Sequence, residues 1–151
     1  MEGQSGYMIS GDELFFFNEK SAALPLYEAF AQRLFAEIDN VTVKVQKTQI
    51  SFSNKYNFAF VSFLPVRKAK DRPKTYITVT FGLRYKKESP RIDTSSEPYP
   101  NRWTHHMLIA SEDEIDDELM DWIKEAAAFS AGKRCRQNGA DSRCRMKKST
   151  P

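Results

Sequence analysis

Two adjacent histidines, His105 and His106, are the residues of this chain best suited to acid–base chemistry or metal binding. Adjacent side chains of a β-strand point to opposite faces, so the pair cannot readily hold one ion between them. We therefore expect one histidine in the core or at the helix–sheet interface and the other exposed. A catalytic role would require a third group, for example Asp93 or Glu97 in the loop that precedes them.

A cluster of acidic residues follows the histidines and could bind a cation. It comprises Glu112, Asp113, Glu114, Asp116, Asp117, Glu118 and Asp121. Hard cations need oxygen ligands that converge on one point, usually from a loop. These carboxylates wind around a helix instead, which favours a solvated helix face whose charge suits the positive end of the helix dipole.

Neither the cysteines nor the glycines form an enzyme motif. Cys135 and Cys144 would need two further ligands to hold zinc, and we expect reduced thiols instead. The six glycines are scattered, so they form no phosphate-binding loop, and the chain has no nucleophile elbow and no CxxC pair. We expect no metal and no cofactor, and we favour a protein that is not an enzyme.

Charge is sorted by segment along the chain. Residues 41–102 carry thirteen Lys and Arg against four Asp and Glu, whereas residues 11–40 carry two against six and residues 103–131 one against eight. The residues after Gly132 add seven basic and one acidic side chain. The electric fields that such charged segments create govern the choice of binding partner and the rate of association with it.

The basic middle segment allows three interpretations. It could form a positive patch for phosphate or another anion, beside aromatic rings that could stack on bases; those rings are Tyr56, Tyr76, Tyr85, Tyr99 and Trp103. It could instead keep strand edges soluble and discourage edge-to-edge pairing. The basic sheet margins could also pair with the acidic helices, within one chain or between two.

Apolar periodicity predicts a helix, five strands and a helix. The first helix runs from Ser21, as N-cap, to Asn40, and the second begins at a capping box formed by Ser111 and Glu114. The predicted strands are 41–46, 49–53, 58–64, 76–83 and 103–110, and the third is apolar enough to be covered on both faces. Residues 86–101 contain three prolines and are predicted to be a loop. Short turns make the sheet largely antiparallel, so we expect a two-layer α+β domain.

Composition divides the chain into three parts. We expect a flexible N-terminus over residues 1–13, a single α+β domain over 14–130 and a disordered basic tail over 131–151. There is no apolar run long enough to cross a membrane and no signal peptide. The sequence therefore predicts a cytoplasmic protein with no membrane association.

The block Lys47-Thr48-Gln49-Ile50-Ser51-Phe52, followed by Phe58-Ala59, resembles a bacterial family of uncharacterised domains, domain of unknown function 5655. Relatives are sometimes labelled "predicted transport protein". Phe16-Phe17, Asn101-Arg102 with a following histidine, Asp116-Asp117 and Trp122 extend the resemblance over roughly residues 14–129. The resemblance implies a small α+β domain without an established activity, cofactor or catalytic residue. The positions that match its pattern are Lys47, Thr48, Ser51, Arg102, His105 or His106, and Asp116.

Three functions follow as hypotheses. The first is a non-catalytic module that binds an anionic ligand (a nucleotide or nucleic acid) or an acidic protein partner; its candidate ligand-binding residues are Lys47, Thr48, Ser51, Arg102, His105 and His106. The second is a small hydrolase or transferase with a site around the two histidines, Ser51 and Lys47. The third is an interaction domain that forms a homodimer through complementary acidic and basic surfaces.

Overall fold

A computed structural model describes residues 9–132 of the chain. Three α-helices and six strands form, in chain order, α1 (Gly11–Phe16), α2 (Leu24–Glu37), β1 (Thr42–Val45), β2 (Gln49–Ser53), β3 (Asn57–Ser62), β4 (Ile77–Leu83), β5 (Thr94–Tyr99), β6 (Arg102–Ile109) and α3 (Asp117–Ala131). All strand pairs are antiparallel, in the order β1-β2-β3-β4-β6-β5. The expected α+β class is confirmed, with six strands rather than five.

The two longer helices pack on one face of the sheet because every second strand residue supplies an apolar side chain to that face. Phe52 of β2 meets Phe30 of α2, with ring centroids 5.8 Å apart. Phe81 of β4 meets Trp122 of α3 at 5.9 Å. These rings are at least nine-tenths buried, so most of the core lies between the sheet and α2 and α3.

Helix α1 was not predicted, and it changes the start of the fold. Ser10 caps it in a reciprocal box: the Ser10 hydroxyl accepts from the Glu13 amide, and the Glu13 carboxylate accepts from the Ser10 amide. Residues 11–13, expected to be flexible, are therefore the first residues of a helix; residues 1–8 lie outside the described residues. The chain then makes a 3₁₀ turn over Ser21–Ala23 before α2, so the predicted N-cap role of Ser21 is wrong.

The sixth strand, β5, lies in the segment predicted to be a loop. Its sequence is polar and includes Pro98, which argues against a central strand. It is an edge strand, paired only with β6, where a missing N–H can face solvent without loss. The turn into β6 has Pro100 and then Asn101 at φ 61°, the left-handed conformation that a two-residue turn of this kind requires.

Strand β3 is covered on one face only. Phe58, Ala59 and Val61 are buried, but Phe60 and Ser62 are half-buried on the face away from α2 and α3. The prediction of a strand covered on both faces is therefore wrong, because the apolar ring of Phe60 belongs to a concave surface site rather than to the core.

The acidic residues before α3 have separate local functions. The capping box of Ser111 and Glu114 is confirmed, but it closes a 3₁₀ turn over Glu112–Glu114. The α-helix starts later, where the Asp116 carboxylate caps the Leu119 amide at 3.0 Å.

Basic residues of the segment between β4 and β6 pair with α3. Arg91 donates to both Asp116 and Glu118 and lies over the ring of Trp122. Lys87 lies 3.5 Å from the Glu125 carboxylate. Part of the basic charge of residues 41–102 is therefore paired with acidic residues of the same chain.

Neither α2 nor α3, the longer helices of residues 9–132, has the length and apolarity needed to cross a bilayer.

Candidate functional site

A concave site of about 1050 Å³ opens on the sheet face away from α2 and α3. Three parts of the chain enclose it: α1 and the residues after it, the β1–β2 turn, and strands β3, β4 and β6. Its lining residues are Asp12, Phe15, Phe16, Asn18, Glu19, Lys20, Val45, Gln46, Lys47, Thr48, Gln49, Phe60, Ser62, Phe63, Leu64, Thr80, Thr104 and His106. We call it the sheet pocket.

A row of paired residues forms the floor of the sheet pocket. Phe60 pairs with Thr80, and Thr80 pairs with His106, so the three side chains lie side by side on one face. The Thr80 hydroxyl and His106 Nδ1 are 2.8 Å apart. This contact fixes the imidazole ring and leaves Nε2 without a hydrogen bond inside residues 9–132.

His106 is neutral at neutral pH. Burial lowers its pKa below the ordinary value of 6.5, and no neighbouring carboxylate opposes this effect. Its free nitrogen therefore serves as a hydrogen-bond donor or acceptor rather than as a cation. The positive charges of the sheet pocket belong to Lys20 and Lys47, and Asp12 and Glu19 lie on the same rim.

The β1–β2 turn carries Lys47 and Thr48 at the rim. Both side chains are exposed, and no carboxylate of residues 9–132 forms an ion pair with Lys47. Two hydrogen bonds fix the turn. The buried Ser51 hydroxyl donates to Gln46 Oε1 at 2.6 Å, and the Gln46 backbone N–H donates to the Gln49 backbone carbonyl at 2.8 Å. Ser51 thus positions the turn and does not line the pocket.

Helix α1 forms the opposite lip. The Tyr27 hydroxyl donates to the buried Glu13 carboxylate, which ties α1 to α2. Phe16 stacks on Phe63 with centroids 5.4 Å apart and ring planes 12° apart. With the inner side anchored in this way, Phe15 remains 78% exposed at the mouth of the sheet pocket.

The structure brings together three of the six predicted ligand residues: Lys47, Thr48 and His106 line one pocket. His105, as expected for one of the pair, is buried on the opposite face, where its ring stacks on Phe81. Arg102 starts β6, four residues from His106, or about 13 Å along the strand.

His105 is a structural histidine in this arrangement. Its Nε2 accepts from the Lys87 amide at 2.9 Å, which places the ring proton on Nδ1. That Nδ1 is fully buried, and the Phe81 backbone beside it does not reach hydrogen-bond geometry. Burial lowers the pKa of His105, the Phe81 backbone opposes this shift more weakly, and the charge of Lys87 adds to it.

Comparison with protein families matches residues 15–130 to a domain of unknown function (DUF5655). The chain belongs to this family. No curated protein and no solved structure matches this chain. The resemblance stated from the sequence is therefore confirmed, and the family itself specifies no activity.

Sequence reasoning missed the α1 side of the pocket in this DUF5655 domain. Asp12, Phe15 and Phe16 were not candidates, because a six-residue helix has too short an apolar stripe to be recognised. The signal that could have found it is Ser10 followed three residues later by Glu13, the capping-box spacing.

Asp116, the remaining predicted position of the DUF5655 pattern, caps α3 and forms an ion pair with Arg91, as described above. Within residues 9–132 no three His, Cys, Asp or Glu side chains are grouped to hold a metal ion. Cys135 and Cys144 lie outside the described residues.

Proposed function

We propose that this domain is a non-catalytic, cytoplasmic binding module whose sheet pocket takes a small anionic ligand with a planar apolar part, as in a mononucleotide. One observation carries the proposal: the pocket brings Lys47, Thr48 and His106 into the same concavity as the rings of Phe15, Phe16, Phe60 and Phe63. Small-molecule sites are typically mostly apolar clefts with a few convergent polar groups.

The two kinds of lining suit the two parts of such a ligand. A planar group gains by leaving water for the phenyl rings, because aromatic contacts add to the hydrophobic gain of burial. An anionic group would lie near Lys47, whose ammonium is exposed and has no carboxylate partner among residues 9–132. The neutral His106 would meet a polar edge of the ligand, since its Nε2 is free for a hydrogen bond.

The hydrolase alternative has no support from the geometry. Ser51 and His106 are three strand spacings apart through the register Ser51–Phe60–Thr80–His106, which is about 14 Å. A nucleophile and its base must lie within hydrogen-bond reach of each other. Ser51 is instead buried, with 2% of the residue exposed, and its hydroxyl donates to Gln46.

An acidic protein partner fits the sheet pocket less well than a small ligand. Two lysines, Lys20 and Lys47, share its rim with two carboxylates, Asp12 and Glu19, so the rim is not a positive field. A homodimer through complementary charge likewise has less support, because Arg91 and Lys87 already pair with α3 of their own chain.

Calorimetric titration with adenosine monophosphate and with adenosine tests the proposal. We expect the phosphate form to bind more tightly, and Lys47→Ala to lower its affinity about five- to tenfold, the size of one charge-assisted contact. The matched control is Lys70→Ala, an exposed lysine outside the sheet pocket, which should bind as the parent does. Both variants should keep their stability within about 0.5 kcal/mol.

Amide NMR shifts locate the ligand. Shifts concentrated at β3, β4, β6 and the β1–β2 turn would support the sheet pocket. Adenosine monophosphate that binds with shifts elsewhere, or with no loss of affinity in Lys47→Ala, would overturn the assignment of the site.

A further inference from the structure

A second surface lies at the corner of the sheet diagonally opposite Lys47. The register pairs Leu83 with Trp103 and Tyr99 with Arg102, so the end of β4, the end of β5 and the start of β6 lie together. Lys47 is four strands away, at the other end of the strands, which is about 28 Å. Tyr99 and its partner Arg102 lie on the sheet face away from α2 and α3, whereas Trp103 lies on the other face, where Arg84 and Tyr85 contact α3. We call this end of the sheet, with these five residues around it, the aromatic–basic corner.

Exposed aromatic side chains mark this corner. Among residues 9–132, five large hydrophobic side chains are exposed, and two of them, Tyr99 at 63% and Tyr85 at 43%, lie here. Tyr85 already donates to Glu125 and has Lys87 over its ring, so Tyr99 is the ring that is open to a ligand. The others, Leu14, Phe15 and Leu64, lie on or beside α1 and the rim of the sheet pocket. Lys86 lies over the ring of Trp103 at 5.9 Å, so a cation and an aromatic ring are already interleaved.

The arginines of the corner keep their charge available. Arg84 contacts the ring of Phe129 at 5.6 Å, and no Asp or Glu side chain of residues 9–132 forms an ion pair with Arg84 or Arg102. Arg91, by contrast, is neutralised by Asp116 and Glu118. Arg84 follows Leu83, the last residue of β4 and the partner of Trp103, and Arg102 precedes Trp103. The two guanidinium groups therefore arise at the same end of the sheet.

The described chain ends at the same side of the molecule. The Tyr56 amide, in the β2–β3 turn, donates to Ser130 Oγ near the end of α3 at 3.0 Å. Residues 133–151 continue from there with seven basic side chains and one acidic side chain. The end of α3 therefore lies at the end of the sheet that carries Arg84 and Arg102.

We propose that the aromatic–basic corner binds single-stranded nucleic acid. Guanidinium groups contact phosphates, and the exposed Tyr99 ring provides a face on which an unpaired base stacks, a combination that binds single strands with little sequence preference. Duplexes keep their bases stacked internally and gain nothing from Tyr99. This site is separate from the sheet pocket and does not depend on the proposed mononucleotide ligand.

Fluorescence anisotropy on the full chain tests the proposal, with a labelled twenty-nucleotide strand of deoxythymidine, one of uridine, and a duplex of equal length. We expect the single strands to bind more tightly than the duplex, with an affinity that falls as salt rises. The double substitution Tyr99→Ala with Arg102→Ala should weaken single-strand binding at least about tenfold, as loss of one stacked base and one phosphate contact predicts. Tyr99 is exposed and Arg102 is half-buried, with no ion pair to an Asp or Glu among residues 9–132, so circular dichroism should show an unchanged fold.

Two control variants separate this site from general surface charge. Lys68→Ala and Lys70→Ala, at exposed lysines of the β3–β4 connection, should each bind the single strands within twofold of the parent. Equal affinity of the double variant and the parent would mean that the basic sequence after Gly132 holds the strand alone, and it would overturn the proposal. Equal affinity for the duplex would overturn it too, because stacking would then contribute nothing.

Discussion

The ring of His105 lies parallel to the ring of Phe81, with centroids 5.0 Å apart and ring planes 11° apart. The two residues are directly paired on β6 and β4, so a titratable side chain is fixed in the helix–sheet interface by register. A protonated imidazole there would lose the hydrogen bond that Nε2 accepts from the Lys87 amide.

Acid should therefore destabilise this fold at mildly acidic pH. Because burial lowers the folded-state pKa of His105 below 6.5, the unfolded chain binds more protons as pH falls through that value. The stabilisation is complete above about pH 6.5 and is lost progressively as pH falls toward the folded-state pKa. Urea titrations between pH 8 and 5 should show a falling free energy of unfolding.

His105→Gln should flatten part of that pH dependence. His106→Gln is the informative comparison, because burial also lowers the pKa of His106 and the two variants apportion the effect. An unchanged slope in both variants would show that other groups titrate in this window.

Tyr27→Phe should loosen α1. The substitution removes one hydroxyl that donates to the buried Glu13 carboxylate, and hydrogen bonds to charged groups contribute about 1.5–3 kcal/mol. Hydrogen exchange should rise in residues 11–16 more than in β3, and the affinity of the sheet pocket for adenosine monophosphate should fall. Uniform exchange across both elements would mean that Tyr27 acts on the whole core.

Arg91→Ala should lower the free energy of unfolding by about 2 kcal/mol. Its side chain is 24% exposed, and its guanidinium group bonds Asp116, Glu118 and the Glu114 carbonyl and lies over Trp122. Chemical denaturation provides the measurement. Lys68→Ala, at an exposed lysine without an ion pair among residues 9–132, is the control and should change stability by less than about 0.5 kcal/mol.

Asn101 tests the turn that positions Tyr99 and Arg102. Its φ of 61° favours glycine or asparagine, so Asn101→Gly should keep the stability of the fold, whereas Asn101→Val should cost about 1–2 kcal/mol. Thermal unfolding compares the two. A Val variant as stable as the Gly variant would contradict the conformation of this turn.

The sequence was sufficient for most of the fold because its strands and long helices bury one face each. The alternation in residues 77–83 and the stripe that includes Leu119, Ile123 and Ala126 are direct consequences of that burial. Strand β5 was not predictable in the same way: it lies at an edge, and its polar, proline-containing sequence has no buried face to produce a period.

The candidate site was predicted in part. Lys47, Thr48 and His106 were chosen from the family resemblance, and the register places them around one pocket. His105 was chosen on the same grounds but faces the core instead. Ser51 shares the pocket face through its pairing with Phe60, but it is buried and bonded to Gln46, and spacing does not encode such tertiary contacts. The rings of α1 were not predicted, because they reach the pocket from a distant part of the chain.

The floor and the lip of the sheet pocket come from separate parts of the chain. The floor comes from strands inside the family match, whereas the lip is held by Ser10 and Glu13, which precede residue 15, where that match begins. Because Glu13 also bonds Tyr27, which belongs to the same core as Phe52 and Phe81, the entrance of the pocket is mechanically coupled to the core.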